Sequence, residues 1–407
     1  MPRRTVSRDG RSAHDGESAG NATGVWPFKR GIADAAAAPY RQDNFSVSGE
    51  DAVVKILLTT AHPFLPEMAG GMQICGDTLA RRMGARGHEV AVFSGLVGKG
   101  WHGFGARLQL KLSGGKTISD RRLGYRAWRG WFPWEGADHV ASSFHPDIVV
   151  VMAGKPVKIA SAFKPIGIPL LMWLQNVEFD DHFGDFGELG TVPCVANSQF
   201  TADTYRNQFG VAPVVIHPIV RRENYVTEPR GGMVTLVNPH PHKGLGVALE
   251  MARLCPDIPF LFVQTWDLPP DAKAELDQRL AELPNVTLHP AVEDMRQIYR
   301  QTKILLAPSQ WQEGYGRVAT EAQFSGIPVI ASTRGGLPES VGPGGVLLDA
   351  AAPAEDWAAV LRRLWDDAGY YQLLSEAAGA HSQRAANDPT LQTDQWETML
   401  SYVARQS

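Results

Sequence analysis

From residue 53 onward, apolar runs typical of strands alternate along the chain with polar loops and with segments of helical periodicity. The first run, Val53–His62, is mostly apolar, which is typical of a strand buried on both faces of a parallel sheet. The next segment, Met72–Arg86, places apolar residues at helical spacing, and Gly87 ends it. Because strands that alternate with helices form parallel sheets with right-handed crossovers, the pattern predicts an α/β fold.

The same rhythm restarts after a polar, glycine-rich seam at Arg221–Gly232, which predicts a second doubly wound unit. A chain of 407 residues also exceeds the size at which a single core usually stops growing. We therefore expect an arm over residues 1–50, Rossmann-like domains over 51–225 and 226–385, and a C-terminal helix over 386–407 that can pack back on the first domain. In such sheets, ligands bind at the carboxyl ends of strands.

Composition narrows the class of protein. The formal net charge of −4 argues against general nucleic-acid binding. The three cysteines, Cys75, Cys194 and Cys255, are too far apart for a zinc motif and suit a reducing cytoplasm. The N-terminus lacks the apolar core of a secretory signal, and we find no run of the roughly 18 apolar residues that a membrane span needs.

Two glycine motifs suggest nucleotide binding but fit poorly. Gly115-Lys116-Thr117 would end a phosphate-binding P-loop, yet the first glycine of that motif is replaced by Leu110, and the preceding "GARLQLKL" alternates instead of forming a buried strand. "GYGRVA" (Gly314–Ala319) matches a dinucleotide motif, but "QWQE" separates it from the strand and no acid closes the next strand. An NTPase and a dehydrogenase are therefore weak alternatives.

Two acids, Glu313 and Glu321, flank this glycine segment directly after an apolar strand. If Gly316 begins a helix, the free N–H groups of that helix suit a phosphate. Carboxylates repel phosphate but accept hydrogen bonds from neutral hydroxyls. A ligand with both phosphate and polyhydroxyl parts, such as a nucleotide sugar, fits this combination; the alternative is that both acids are ordinary residues of a helix and its entry.

The motif Glu-Gly-Tyr-Gly-x4-Glu at residues 313–321, followed by "GIPVIASTRGGLPE", resembles the retaining glycosyltransferases of family 4, which have the GT-B fold. "NPHPHKG" (Asn238–Gly244) is similar to the donor-phosphate loop of that family, and "PEMAGGMQ" (Pro66–Gln73) to its N-terminal glycine loop. The resemblance covers most of the chain from Val53 to the end. It implies two Rossmann-like domains facing a central cleft, the first binding the acceptor and the second the nucleotide sugar.

The resemblance also implies roles for individual residues. Glu313 and Lys243 would be catalytic: Glu313 would contact hydroxyls of the donor sugar, and Lys243 would stabilise the charge that develops on the diphosphate. Glu321 would hold the ribose hydroxyls. The implied donor-binding residues are Gly70, Gly71, Asn238, Lys243, Glu313, Gly314, Tyr315, Gly316, Arg317 and Glu321. We expect no cofactor and no metal, since the chain has no Asp-x-Asp motif; a metal site at His240 and His242 is the less favoured alternative.

The chain departs from the family at three places. Asn238 occupies the position of an arginine, Gln175 that of a histidine, and "IHPIV" replaces the usual end of the first half. Gln175 or Asn176 could donate to a sugar hydroxyl but cannot act as a general base at neutral pH. His182 is a candidate substitute, although a loop histidine is the simpler interpretation.

The stretch Lys99–Glu135 holds four tryptophans, with eight Lys or Arg residues against two acids. Tryptophan faces stack on sugars and arginines bind anions, so we assign acceptor contacts to Trp128 and Trp131, beside Gln175 and Asn176. An acidic glycan, a lipid phosphate or a nucleic acid would suit this stretch, and peripheral membrane contact is compatible with it. The alternative is a solvated hairpin whose tryptophans pack inward.

We therefore predict a metal-independent retaining glycosyltransferase that transfers a sugar from a nucleoside diphosphate to an acceptor hydroxyl. Two alternatives stay open: a catalytically degenerate protein that binds nucleotide sugars or glycans, and a nucleotide-sugar epimerase or phosphorylase on the same fold. The sequence identifies neither the sugar, the base, the acceptor nor the oligomeric state.

Overall fold

The computed structural model describes residues 53–97, 100–266 and 268–406, apart from the side chains of residues 100–102 and 113. The arm predicted over residues 1–50 lies outside these ranges. Within them, the chain forms two α/β units, one around an eight-stranded sheet and one around a six-stranded sheet. In the same ranges, no helix combines the length and the apolar character that crossing a bilayer requires.

The first sheet has the strand order β3-β4-β2-β1-β5-β6-β7-β8, and its pairs are parallel except β3 with β4. The central strand β1 aligns Leu57 with Ala91 on one side and with Val149 on the other. All three are fully buried, as expected for strands covered by helices on both faces. The strands are β1 (Lys55–Pro63), β2 (Glu89–Gly95), β3 (Ile118–Asp120), β4 (Arg126–Gly130), β5 (Ile148–Val151), β6 (Leu170–Leu174), β7 (Cys194–Ala196) and β8 (Val214–Val215). The helices are α1 (Gly71–Ala85), α2 (Gly100–Ser113), α3 (Ala137–Phe144), α4 (Pro156–Phe163) and α5 (Gln199–Phe209).

The second sheet is parallel throughout, with the order β11-β10-β9-β12-β13-β14. Its core packs Phe260 and Phe262 against Trp357, all fully buried. The strands are β9 (Met233–Val237), β10 (Phe260–Gln264), β11 (Val286–Pro290), β12 (Thr302–Ala307), β13 (Val329–Ser332) and β14 (Gly345–Leu348). The helices are α6 (Leu245–Leu254), α7 (Pro270–Ala281), α8 (Arg296–Tyr299), α9 (Arg317–Gln323), α10 (Leu337–Val341), α11 (Ala354–Asp366), α12 (Ala368–Ser382) and α13 (Pro389–Ala404).

The last helix, α13, leaves the second unit and packs against the first sheet. Its Trp396 is 1% exposed and meets Trp173 of β6 edge to face, with ring centroids 4.5 Å apart. Glu397 forms an ion pair with Arg86, directly after α1, and its Oε1 lies 3.0 Å from His88 Nε2. Truncating a fully buried tryptophan typically costs about 3–5 kcal/mol, so this helix joins the two units with a substantial contact.

The stretch Lys99–Glu135 differs from the expectation of an alternating segment. Residues 100–113 form α2, in which Ala106 and Leu110 are buried one turn apart against Leu96. Residues spaced by four lie on one helix face, whereas the alternation in "GARLQLKL" also fits a strand, so the pattern alone was ambiguous. The antiparallel pair β3 and β4 follows and forms a hairpin.

Candidate functional site

A cleft lies between the two units, where the loops after β1, β6 and β7 face the loops after β9, β10 and β12. Its cavity measures about 880 Å³ and is lined by residues of both units. This position agrees with the rule that ligands of open α/β sheets bind beyond the carboxyl ends of the strands.

The centre of the second wall is an ion pair between Lys243 and Glu313. The Lys243 Nζ atom lies 2.6 Å from Glu313 Oε1, and both side chains are largely but not fully buried. Ser309 Oγ donates a second hydrogen bond to the same oxygen over 2.9 Å, and Trp266 places its ring 5.3 Å from the ammonium. The structure thus brings together the two residues that the sequence marks as catalytic.

The backbone around this pair depends on glycine. Gly244 has φ +81°, and a Cβ there would lie 2.0 Å from the carbonyl oxygen of Pro308. This close approach sets the phosphate-loop candidate against the end of β12. Gly316, with φ +91°, precedes α9, and a Cβ there would lie 2.7 Å from Leu337. Both positions need a left-handed backbone conformation and leave no room for a Cβ atom, and only glycine meets both conditions at no steric cost.

Glu321 lines the cleft but is already held by protein groups. Tyr299 donates its hydroxyl to Glu321 Oε2 over 3.0 Å, and Arg317 donates to Oε1 over 3.3 Å. Burial, followed by the charge of Glu321, raises the pKa of Tyr225 to about 12, so its phenol stays protonated beside Arg317. A carboxylate has about four acceptor sites, so Glu321 can still accept a ligand hydroxyl.

Arg317 connects the two walls. Its guanidinium donates to Cys75 Sγ of α1 over 3.1 Å and to the Tyr225 hydroxyl over 3.2 Å. Gly71 lies opposite, where a Cβ would be 3.8 Å from the Arg317 side chain. Gly70 is the residue before α1 and adopts an ordinary extended conformation. The two glycines predicted to approach the donor therefore line the cleft from the first unit.

Three buried polar atoms of the first wall have no hydrogen-bond partner among the described residues: Trp173 Nε1, Gln175 Oε1 and Asn197 Oδ1. All three residues line the cleft. One donor and two acceptors suit ligand hydroxyls rather than a phosphate. Trp173 and Asn197 were not predicted, because their proximity depends on the pairing of β6 with β7.

Asn176 donates its amide to Glu178 Oε2 over 3.0 Å. Burial raises the pKa of Glu178, against the opposing effects of Asn176 and of the Trp311 indole from the second unit. A carboxyl group with a raised pKa between the two units is a functional candidate that the sequence analysis missed. Trp266, Ser309 and Trp311 were given no role from the sequence either, although Ser309 and Trp311 directly precede the glycine segment.

Several predicted residues have side chains engaged in structural contacts. Trp128 is 3% exposed and packs against Phe144, so the expectation that it stacks on an acceptor is wrong in this structure; Trp131 is 44% exposed. Tyr315 is also buried, and its hydroxyl contacts Arg384 over 2.8 Å, so only its backbone faces the cleft. The side chain of His182 is also engaged in structural contacts.

His182 is 3% exposed, lies 2.8 Å from the Tyr205 hydroxyl and sits among aromatic rings. Burial lowers its pKa, which keeps it neutral and structural. Asn238 lines the cleft with φ +61°, and its Oδ1 accepts from the backbone N–H of Thr265 over 3.1 Å. It therefore shapes the loop and supplies no positive charge in place of the arginine.

No cluster of three or more potential metal ligands occurs among the described residues. The rings of His240 and His242 stack with centroids 5.0 Å apart, and burial, with smaller effects of His242 and Lys243, lowers the pKa of His240. Independence from metal stays a prediction.

Comparison with known proteins gives consistent results. Residues 232–367 match the family model described as Glycosyl transferases group 1. The D-inositol 3-phosphate glycosyltransferase of Corynebacterium kroppenstedtii is 43% identical over 94 residues, which are 23% of this chain and 20% of that protein. The same enzyme of Segniliparus rotundus is 33% identical over 161 residues, which are 37% of this chain and 35% of that protein. The chain thus matches roughly a fifth to a third of the length of these relatives.

Solved structures cover more of the chain. Anabaena Alr3699/HepE, crystallised with UDP-glucose, aligns with a TM-score of 0.68 at 19% identity over 85% of this chain and 99% of that one. A glycosyltransferase from Rickettsia africae gives 0.67 at 17% identity over 87% of this chain and 100% of that one. At such identity the likeness concerns the fold. The chain has the GT-B fold, and its second domain is similar in sequence to the group 1 glycosyl transferases.

Proposed function

We propose that this chain is a retaining, metal-independent glycosyltransferase that moves a sugar from a nucleoside diphosphate to an acceptor hydroxyl in the interdomain cleft. The observation that supports this most is the Lys243–Glu313 pair, which joins a cation and a carboxylate 2.6 Å apart inside the cavity. Membership of family 4, as distinct from the broader group 1, is part of the proposal.

The arrangement of the pair suggests separate roles for Lys243 and Glu313. When a donor enters, its diphosphate competes with Glu313 for Lys243, and Glu313 becomes available for sugar hydroxyls. The bond between the anomeric carbon and the leaving phosphate oxygen then breaks, and Lys243 stabilises the charge that develops there. The acceptor oxygen bonds to the anomeric carbon on the same face, and its proton passes to the leaving phosphate oxygen.

The comparisons support the two substrates to different degrees. HepE was crystallised with UDP-glucose, so a uridine diphosphate sugar is the first donor to test. The relatives are named for D-inositol 3-phosphate, so a phosphorylated polyol is the first acceptor to test. The three cysteines lie unpaired in the structure, and we propose a reducing compartment, the cytoplasm, as the place of action.

The test is a panel of nucleotide sugars, in which thermal shift measures binding and release of free nucleotide measures turnover. We expect at least one donor to raise the melting temperature and to be hydrolysed slowly without acceptor. Lys243→Ala is expected to abolish the hydrolysis, and NMR of a transfer product is expected to show the donor's anomeric configuration. Failure of every donor to bind would refute the proposal, and an inverted product would refute retention.

One observation favours a second candidate, a degenerate protein that binds nucleotide sugars without turnover. At the position of the family's arginine, Asn238 is held by Thr265 and cannot support the diphosphate charge. Donor binding without nucleotide release, in the presence of any acceptor tested, would favour this candidate. Turnover without an acceptor alcohol, or only with orthophosphate, would instead indicate an epimerase or a phosphorylase.

A further inference from the structure

The segment "IHPIV" (Ile216–Val220) is one of the three places where the chain departs from the family pattern, and the proposed mechanism does not use its histidine. The segment follows β8, the last strand of the first domain. The Nε2 atom of His217 lies 2.5 Å from Oε1 of Glu339, which belongs to α10 of the second domain. A carboxylate only accepts hydrogen bonds, so His217 donates from this nitrogen. The unusual segment therefore supplies a contact between the two domains.

Glu339 binds the first domain at a second point. Its Oε2 atom accepts the backbone N–H of Gln199, the first residue of α5, over 2.8 Å. The first N–H groups of a helix have no partner within the helix, and the positive end of the helix dipole attracts a carboxylate. Glu339 and His217 have 26% and 16% of their side chains accessible, so both contacts are partly shielded from water. We call Glu339 with its two partners, His217 and the Gln199 N–H group, the Glu339 bridge.

On the side of the second domain, the bridge is tied to the loop that carries Glu313. Gly336, directly before α10, donates its N–H to the carbonyl of Glu313 over 2.7 Å. Gly335, with φ +63°, packs so closely that a Cβ there would lie 2.1 Å from the same carbonyl oxygen. Glu339 follows Gly336 by three residues within the short helix α10. The position of Glu339 therefore depends on the backbone of Glu313, and the reverse also holds.

On the side of the first domain, the bridge adjoins the same loop. Ser198, the residue before α5, donates its hydroxyl to the carbonyl of Gly314. The ring of His217 lies 5.3 Å from the ring of Tyr315, centroid to centroid. The backbone of His217 is held as well, because its carbonyl accepts the side-chain amide of Gln392 on α13 over 3.2 Å. Both partners of Glu339 thus lie next to the glycine segment that follows Glu313.

We propose that Glu339 and His217 are positioning residues, which hold the first domain against the Glu313 loop and so keep the donor site assembled before the donor arrives. Neither side chain lines the cleft, so both act through the backbone of the loop and not on a substrate. Without the bridge the cleft widens, and a donor has to restore the closed arrangement from its own binding energy. The donor-binding part of this inference rests on the proposed function, whereas the domain arrangement is measurable without any ligand.

The test variants are Glu339→Ala, which removes both contacts, and Glu339→Gln, which loses the charge but keeps an acceptor for the Gln199 N–H group. His217→Ala and the double variant with Glu339→Ala complete a mutant cycle. The matched control is Asp257→Ala, because Asp257 accepts from Arg362 over 2.6 Å within the second domain and lies outside the cleft lining. Small-angle X-ray scattering of the donor-free proteins measures the domain separation, and circular dichroism checks that each variant is folded.

We expect Glu339→Ala to have a larger radius of gyration than the wild type, and saturating UDP-glucose to return it to the wild-type value. The Kd for UDP-glucose and the KM for its hydrolysis are expected to rise about tenfold in Glu339→Ala, the effect of losing a hydrogen bond to a charged group. The kcat is expected to change less than about twofold, because a saturating donor restores the closed arrangement. Glu339→Gln is expected to recover part of the lost affinity, and the double variant to be no worse than Glu339→Ala alone.

An unchanged radius of gyration in Glu339→Ala overturns the proposal, and so does an equal increase in Asp257→Ala. A fall in kcat at unchanged KM also overturns it, because Glu339 would then act on the chemical step. If Glu339→Ala does not fold, the same comparisons are made with His217→Ala, for which we expect a smaller shift in the same direction. If the wild type does not bind UDP-glucose, that result counts against the proposed donor, and the scattering data alone decide on the Glu339 bridge.

Discussion

Replacing Glu313 by glutamine tests whether the central ion pair is catalytic. The change is nearly isosteric and removes one charge. The amide oxygen of glutamine can still accept the hydrogen bond from Ser309 Oγ, which spans 2.9 Å to Glu313 Oε1. The perturbation therefore removes the attraction to Lys243 and weakens any bond to a sugar hydroxyl, while the loop keeps its shape.

The two consequences differ greatly in size. With 22% and 17% of the two side chains accessible, the pair is largely buried but faces the open cleft, so its loss is expected to cost about 1–2 kcal/mol of folding free energy. In a domain of this size, each kcal/mol corresponds to a melting temperature lower by about 2–4 °C. The loss of a charged contact to the reacting group typically lowers kcat by a factor of about 100–1000.

The assay compares nucleotide release and thermal unfolding for the wild type, Glu313→Gln and Glu250→Gln. Glu250 is a matched control, because it pairs with Arg253 over 2.8 Å on α6 and lies outside the cleft lining. We expect a loss of turnover only in Glu313→Gln, with all three proteins melting within a few degrees of one another. A variant that melts far below the wild type would show that Glu313 is structural, and one that retains turnover would refute its catalytic role.

Four further predictions concern stability and chemistry. Gly314→Ala would place a Cβ 2.1 Å from the carbonyl oxygen of Gln175, so we expect the free energy of unfolding, measured by urea titration, to fall by about 1–3 kcal/mol and donor binding to weaken. Trp128→Ala is expected to cost about 3–5 kcal/mol, whereas Trp131→Ala is expected to change the melting temperature little, as calorimetry would show. Burial lowers the pKa of His182 in the folded protein, so the neutral form stabilises the fold at pH values above the pKa of the unfolded chain, and this contribution is lost as the pH falls below about 6.5. We expect the free energy of unfolding to depend less steeply on pH in His182→Phe than in the wild type. An unchanged slope would contradict this. Chelation by EDTA is expected to leave turnover unchanged, and a strong loss would contradict metal independence.

Much of the architecture is predictable from the sequence because its elements repeat simple periods. The run at β1 and the helical spacing in α1 match the expected positions within a residue or two. The same holds for α9, which begins directly after Gly316. Here a glycine with φ +91° is needed between a strand and a helix, so a local requirement marks the boundary.

The errors come from features that depend on tertiary contacts. Trp128 lies in β4, where Ala127, Trp128 and Arg129 are all buried because both faces of the strand are covered. Composition alone suggested a sugar-stacking tryptophan, and only the position of β4 within the sheet shows that it belongs to the core. Asn238 is a second example. Its left-handed conformation and its hydrogen bond with Thr265 explain why this residue stands here, and neither feature can be predicted from the absence of an arginine.

The loop that carries Glu313 also forms part of the interface between the domains, which links the proposed donor binding to their arrangement. The carbonyl of Gly314 accepts hydrogen bonds from Ser198 and, over 3.2 Å, from Thr201 Oγ1 at the start of α5. Arg317, three residues later, donates both to Glu321 and to Cys75 of the first domain. Separating the domains would break these bonds next to Glu313 and Glu321, so the geometry of the proposed donor site depends on the domains staying together. A donor that binds this geometry must therefore favour closure, because a ligand shifts a conformational equilibrium by its difference in affinity for the two states.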